Sequence, residues 1–181
     1  MTSLEDAFPE IAEMTDDDQR DRVVEVWATA IADSDYDDLA DVPWWPPHEA
    51  VVGSSDLVGH VRDVVRCAIA ICDSLTLSQS ELEIRRDDLI AGALLHDVSK
   101  PFEIADGELV ETHDLLPHPH YAVHLLASCD VSKHVQHIVI AHSGRSGVAP
   151  RTMEAKIVAV ADELAVDGRY WSTTSRLKPD G

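Results

Sequence analysis

The sequence predicts an all-α domain, a helical bundle interrupted at most by one small β-hairpin near residues 102–111. Three observations carry that reading. Apolar residues recur every three to four positions through successive stretches, the repeat of a helix with one buried face. Pro43, Pro46 and Pro47 concentrate irregular backbone between residues 33 and 53. An alternating, strand-like pattern stands out at FEIADGELVE, on either side of an Asp106-Gly107 turn.

Taken in order, acidic Asp16, Asp17 and Asp18 precede Val23, Val24, Trp27 and Ile31, marking a helix that runs to about residue 32. The segment 33–53 cannot be regular helix, and Trp44 and Trp45 within it either pack on the core or form a lid over a pocket. From residue 55 to about 75, Leu57, Val61, Val64, Val65, Ala68, Cys72 and Leu75 define a strongly amphipathic helix. A second, from about 79 to 96, turns Leu82, Leu89, Ile90, Ala93 and Leu94 inward. Beyond the hairpin, helices are expected over about 120–128, 132–141 and 151–166. Pro150 stands just before the last of them, a usual helix-start position.

With 181 residues, 45% of them apolar, the chain suffices for one domain with a real core, and disorder throughout is excluded. Thirty-four acidic residues against 14 Lys and Arg give a formal net charge of −20. Such a charge repels nucleic acid and anionic membranes, so neither DNA or RNA duplexes nor membranes are expected partners. It reads either as a solvated surface suited to a very salty cytoplasm or as an acidic docking face for a basic partner. Cys67, Cys72 and Cys129 are odd in number and lack CxxC spacing, as reduced thiols do. No apolar run reaches the length of a membrane span, and MTSLEDAF lacks the basic and apolar regions of a signal peptide. The expectation is a soluble, cytoplasmic protein, with homo-oligomerisation open.

Chemistry concentrates where polar groups sit on apolar faces. His60 shares a helix side with Val64, Cys67 and Ile71. His96 and Asp97 directly end the apolar run LIAGALL, and Asp162 is level with Ala155, Val158 and Ala165. A buried carboxylate costs several kcal/mol unless a cation or good hydrogen bonds offset it. Singly, His60 could bond a carbonyl and Asp162 an arginine. Together, three separated helices each offer a ligand-type group facing inward, and one cation meeting all of them answers the burial problem.

In this order, His60, then LLHDVSK, then ADELAVD, the chain resembles the HD-domain superfamily, metal-dependent phosphohydrolases named for such a His-Asp doublet. The resemblance covers about residues 55–167. It leaves 1–54 as an N-terminal helix and proline-rich arm packing on the core, and 168–181 as a C-terminal tail. It implies the HD helical bundle, with His60, His96, Asp97 and Asp162 as metal ligands. HPHYAVHLL resembles the segment in which many members supply another histidine, placing His118 there, with His120 its competitor two residues on. HIVIAHSG resembles a further ligand segment, with His142 at the matching position. Members having both usually hold two ions bridged by the doublet aspartate.

The cofactor so implied is a divalent transition metal, two ions, and imidazole with carboxylate suits Mn, Fe, Co, Ni or Zn better than Mg or Ca. The implied reaction is hydrolysis of a phosphate ester, of a nucleotide or another small phosphorylated metabolite, by a metal-activated hydroxide. Asp97 would bridge the ions and accept a hydrogen bond from that hydroxide. Lys100 matches a lysine often found three positions after the doublet aspartate, a catalytic and substrate-binding group facing the phosphate; its other reading is a merely exposed side chain. Ser99 departs from the glycine common there, which puts the local turn and the aim of Lys100 in question. Arg145, in SGRSG after His142, either contacts the phosphate or is solvated. His48 and His113 fall in loops, and His124, His134 and His137 on helix surfaces or in packing. Two rivals are a di-iron HD-type oxygenase and a non-catalytic nucleotide-sensing module; the complete ligand set argues against the second.

Overall fold

The computed structural model describes residues 2–45 and 56–178. Positions 46–55, with Pro46, Pro47 and His48, lie outside the described residues. The chain runs through α1 (Leu4–Ala7), α2 (Asp17–Ala32), α3 (Leu57–Ser78) and α4 (Arg86–Leu95). A hairpin of β1 (Ile104–Ala105) and β2 (Glu108–Leu109) follows, then α5 (Glu111–Leu115), α6 (His118–Ser128), α7 (Lys133–Ala141) and α8 (Met153–Thr174). Short 3₁₀ turns at Pro9–Glu13, Leu39–Asp41, Lys100–Phe102 and Gly144–Ser146 join them.

Side-chain caps set most of the long helices' starts. Asp16 accepts from the Gln19 amide ahead of α2, Asp56 from Gly59 ahead of α3, Ser132 from Val135 ahead of α7, and Thr152 from Ala155 ahead of α8. Each satisfies an amide that the helix itself leaves without a partner. In the hairpin, Asp106 (φ 52°) and Gly107 (φ 79°) both lie in the left-handed region, as a two-residue type I′ turn requires, and Ile104 pairs with Leu109.

α4 is the axis of the bundle. Every residue from Leu89 to Leu95 is buried, and α2, α3, α7 and α8 all pack on it. A helix apolar on all sides belongs in the centre of a fold. Gly92 brings α7 close: a Cβ there would overlap the Ile138 side chain. The N-terminal elements share this core, with Phe8 packed on Trp27 and the Trp27 indole N–H donating to the Leu94 carbonyl at 3.1 Å.

Several boundaries differ from those expected. α3 continues to Ser78 and α4 begins only at Arg86, so residues 79–85 form a turn and irregular backbone rather than helix. Ser78, Gln79 and Ser80 form the junction, and the hydroxyls of Thr76 and Ser78 bond back to the Cys72 and Leu75 carbonyls as α3 ends. α8 runs on past residue 166 to Thr174, held by Arg169, whose guanidinium grips Asp63 on α3 at 2.6 and 2.9 Å. His113 lies within the short α5, not in a loop. No helix among the described residues is long and apolar enough to cross a membrane.

Candidate metal centre

Two helix ends present histidines by the same local device. His96 and His142 follow the last residues of α4 and α7 as their C-caps. Each ring approaches a carbonyl three residues back, His96 Nδ1 to Ala93 O at 2.7 Å and His142 Nδ1 to Val139 O at 2.6 Å. The last carbonyls of a helix lack internal partners, so an imidazole N–H donated there is well placed. Nδ1 then carries the proton, and the Nε2 lone pair points away from the helix.

The Nε2 lone pairs converge around Asp97, which is 3% exposed. Asp97 Oδ2 lies 3.4 Å from His60 Nε2 and 3.6 Å from His96 Nε2, while Oδ1 lies 3.5 Å from His118 Nε2 and 3.8 Å from His142 Nε2. Within the first group His60 and His96 are 3.2 Å apart at Nε2; within the second, His118 and His142 are 3.1 Å apart. Asp162 Oδ1, on α8, adds a contact to His60 Nε2 at 3.2 Å. His60, His96 and Asp97 thus form one possible ligand group and Asp97, His118 and His142 another, all buried.

These donors fit divalent ions. Metal–nitrogen and metal–oxygen bonds of about 2.0–2.2 Å put neighbouring ligand atoms about 3.0–3.5 Å apart, close to most of the separations seen here. Charge state agrees. Burial, first among its causes, pushes His96 down to about 4, and burial with the nearby Lys100 charge pushes His118 down to about 2, so both rings are neutral at pH 7 as ligands must be. For Asp97 burial acts to raise the carboxyl pKa, but His96, Lys100, His60 and His118 outweigh it and hold the group well below its usual range. Asp162 is likewise drawn down to about 2, its burial outweighed mainly by His60. Burial would lower His60, yet its contacts with Asp162 and Asp97 raise it.

His118, the first residue of α6, joins the cluster, whereas His120, also on α6, is not among its ligand groups. Ser99 fixes it from behind, donating its hydroxyl to the His118 carbonyl at 2.8 Å. Ser99 has φ −87° and ψ −3°, a conformation open to any residue, so glycine is not required there. Lys100 is not an exposed lysine: it is 3% exposed and its ammonium donates to Glu103 Oε2 at 2.9 Å, with the Trp45 ring 5.6 Å away. Arg145 is exposed on the turn after His142, near enough that its charge helps to lower His118. Of the remaining histidines, His134 contacts Glu154 at 3.2 Å and His137 accepts the Arg151 amide at 3.0 Å.

Two neighbours of the cluster are not marked as site residues by the sequence. Glu103, three residues after Lys100, pairs with it and lies 3.8 Å from His118 Nδ1; the Lys-x-x-Glu spacing on a 3₁₀ turn is its only signal. Trp44 donates its indole N–H to Asp97 Oδ2 at 2.9 Å and stacks on His60.

Among known proteins, the family model of the HD domain matches residues 57–167. A dihydroneopterin 2′,3′-cyclic phosphate phosphodiesterase of Methanocaldococcus jannaschii is 37% identical over 112 residues, 59% of this chain and 45% of that protein. The chain thus spans less than half the length of that relative. No solved structure gives a significant match.

Proposed function

The chain belongs to the HD-domain family, and from that premise we propose that it is a metal-dependent phosphohydrolase holding two divalent transition-metal ions. His60, His96, Asp97 and Asp162 would hold the first ion, and Asp97, His118 and His142 the second. The observation that carries this reading is the division of Asp97: one carboxylate oxygen faces each histidine pair. Bound ions supply Lewis acidity, which lowers the pKa of water towards neutrality and offsets charge on phosphoryl oxygens. The chain's own part is to hold the ligands aligned and mostly buried, with the carboxylates ionised. Burial keeps His96 and His118 unprotonated, and the Ala93 and Val139 carbonyls fix the rings of His96 and His142.

The substrate we infer is a phosphate ester of a nucleotide or another small phosphorylated metabolite. The name of the Methanocaldococcus relative puts cyclic phosphodiesters first among them. Arg145 at the rim, and Lys100 if substrate draws it from Glu103, provide the positive charge for the phosphate. The purified protein, loaded with Mn²⁺ or Fe²⁺, should hydrolyse members of a panel of 2′,3′-cyclic phosphates, nucleotides and sugar phosphates. Asp97→Ala should lose both ions and at least about 100-fold in rate, because among the described residues no other side chain serves both groups. An Asp97→Ala protein with full metal content and full activity would refute the assignment.

A further inference from the structure

Trp44 lies outside the residues matched by the HD-domain model, yet its side chain reaches both the carboxylate and an imidazole of the first ligand group. Its indole N–H donates to Asp97 Oδ2 at 2.9 Å, and its ring stacks on His60 with centroids 4.2 Å apart and planes 22° from parallel. The backbone holds it there. Leu57 N donates to Val42 O at 3.1 Å, and Pro43 forms an antiparallel bridge with Asp56. The peptide that carries Trp44 is therefore tied to the start of α3, one turn ahead of His60.

We propose that Trp44 is a positioning residue of the metal centre, fixing Asp97 Oδ2 and the ring of His60 so that both present their donors to the same ion. This rests on the reading of the cluster as a metal site. His60 is one of two rings in the cluster that need such help, and the one that Trp44 reaches. His96 and His142 are tethered through Nδ1 to backbone carbonyls, whereas Nδ1 of His60 and Nδ1 of His118 are buried with no hydrogen-bond partner among the described residues; His118 has Glu103 3.8 Å away, and His60 has the Trp44 ring. A stacked indole restrains the ring in place of that tether. At Asp97 the final torsion of the side chain is broad and roughly two-fold, so its two oxygens exchange roles easily unless something distinguishes them. The indole N–H does so. A carboxylate oxygen has two lone-pair sites, and Trp44 takes one on Oδ2 while leaving the other for the group with His60 and His96.

The test is Mn²⁺ binding without substrate, by calorimetry and by the electron paramagnetic resonance of free Mn²⁺. Wild type is compared with Trp44→Phe, which keeps a ring but loses the N–H, and with Trp44→Ala, which loses both. Trp171→Phe serves as control, since Trp171 is 56% exposed on α8. Loss of an outer partner of a metal ligand typically costs about 10- to 100-fold in affinity. Trp44→Phe should weaken the first ion by about 10-fold and Trp44→Ala by more, with Trp171→Phe unchanged. Tryptophan fluorescence should be quenched by stoichiometric Ni²⁺ in wild type and Trp171→Phe, and much less in Trp44→Phe. If Trp44→Phe lowers the melting temperature alone and binds Mn²⁺ as wild type does, Trp44 merely packs and the proposal fails. A wild type that binds Mn²⁺ but hydrolyses nothing counts against the proposed reaction only; one that binds no ion overturns both.

Discussion

At Asp97 the two oxygens of one side chain meet four histidine rings brought by α3, α4, α6 and α7, so loss of any one ring should have a local effect. His118→Ala should lower metal content towards one ion per chain, because His60, His96, Asp97 and Asp162 remain for the first. Activity should fall by about two orders of magnitude or more, the upper end of what disturbing a single ligand's surroundings costs. His120→Ala, two residues along α6, should leave metal content unchanged; equal behaviour of the two variants by elemental analysis would remove His118 from the site. The buried rings also set a pH dependence. His96 at about 4 and His118 at about 2 titrate far below the value near 6.5 of an unfolded histidine. Below about 6.5 the unfolded chain therefore binds protons that the folded chain does not, and stability falls as pH falls. Between about 6.5 and 4 both rings contribute, each approaching about 1.4 kcal/mol per pH unit. His60, raised, acts above about 6.5 and in the opposite sense, while Asp97 and Asp162 matter only below the usual carboxylate range. Chelator-treated protein should thus melt progressively lower from about pH 6.5 to about 4.5 at constant ionic strength, and a flat or rising curve would contradict the burial argument. Proximity of His60, His96, Asp97 and Asp162 is legible in sequence, because each is a ligand-type group on or ending an apolar face. Trp44 and Glu103 are not, since their partners are set by tertiary approach: Trp44 meets a carboxylate 53 residues away.

Among the helices, α4 shows how one missing methyl group sets a bundle's spacing. Gly92 costs its helix about 0.8–1.0 kcal/mol relative to alanine. Its return is the close passage of α7, and with it the placement of His142 beside His96, whose ring centroids lie 5.0 Å apart. In Gly92→Ala the added Cβ would overlap the Ile138 side chain, whose nearest atoms include its branched Cβ as well as the more flexible Cδ1. Overpacking of this kind costs about 1–3 kcal/mol, more than the propensity gained, so the variant should melt at lower temperature. Gly168, in the interior of α8, has open space where an alanine methyl would sit, with nothing among the described residues within 4 Å. Gly168→Ala should therefore gain up to about 1 kcal/mol. Denaturant titration of the pair separates the two effects, and a stabilised Gly92→Ala would show that α7 moves aside freely. Local signals make most elements readable: the Asp106-Gly107 turn needs no long-range information, and apolar periodicity finds α2, α3, α7 and the body of α8. The start of α4 is not legible, because Leu82 stands seven positions before Leu89, in helical register with it, while the α3 end imposes a turn. Nor is the far end of α8, whose anchor is the Arg169–Asp63 pair, 106 residues apart in sequence.

For the whole molecule, the net charge of −20 sets two salt effects against each other. Many of the basic groups are committed to exposed or part-buried ion pairs: Arg62 and Arg66 with Glu10, Arg86 with Glu13 and Asp73, Arg169 with Asp63, Arg22 with Glu25 and Arg20 with Asp17. Salt weakens such pairs, but exposed pairs contribute only about 0–1 kcal/mol each. Against them stands the repulsion among the excess carboxylates. Two like charges about 10 Å apart in water repel by about 0.4 kcal/mol, and an excess of twenty on a small domain makes many such terms. The Debye length falls from about 10 Å at 0.1 M salt to about 3 Å at 1 M, so that repulsion is removed almost entirely over this range. Repulsion outweighs the pairs, and the melting temperature should rise with KCl, as it would for a chain suited to a salty cytoplasm. The form of the rise identifies its cause. Screening saturates once the Debye length is shorter than the charge spacing, so most of the gain should come below about 1 M, whereas exclusion of salt from the surface would keep adding stability above it. A melting temperature that stays flat or falls from about 0.05 to about 1 M KCl would mean that the arginine pairs, not the carboxylate excess, govern this surface.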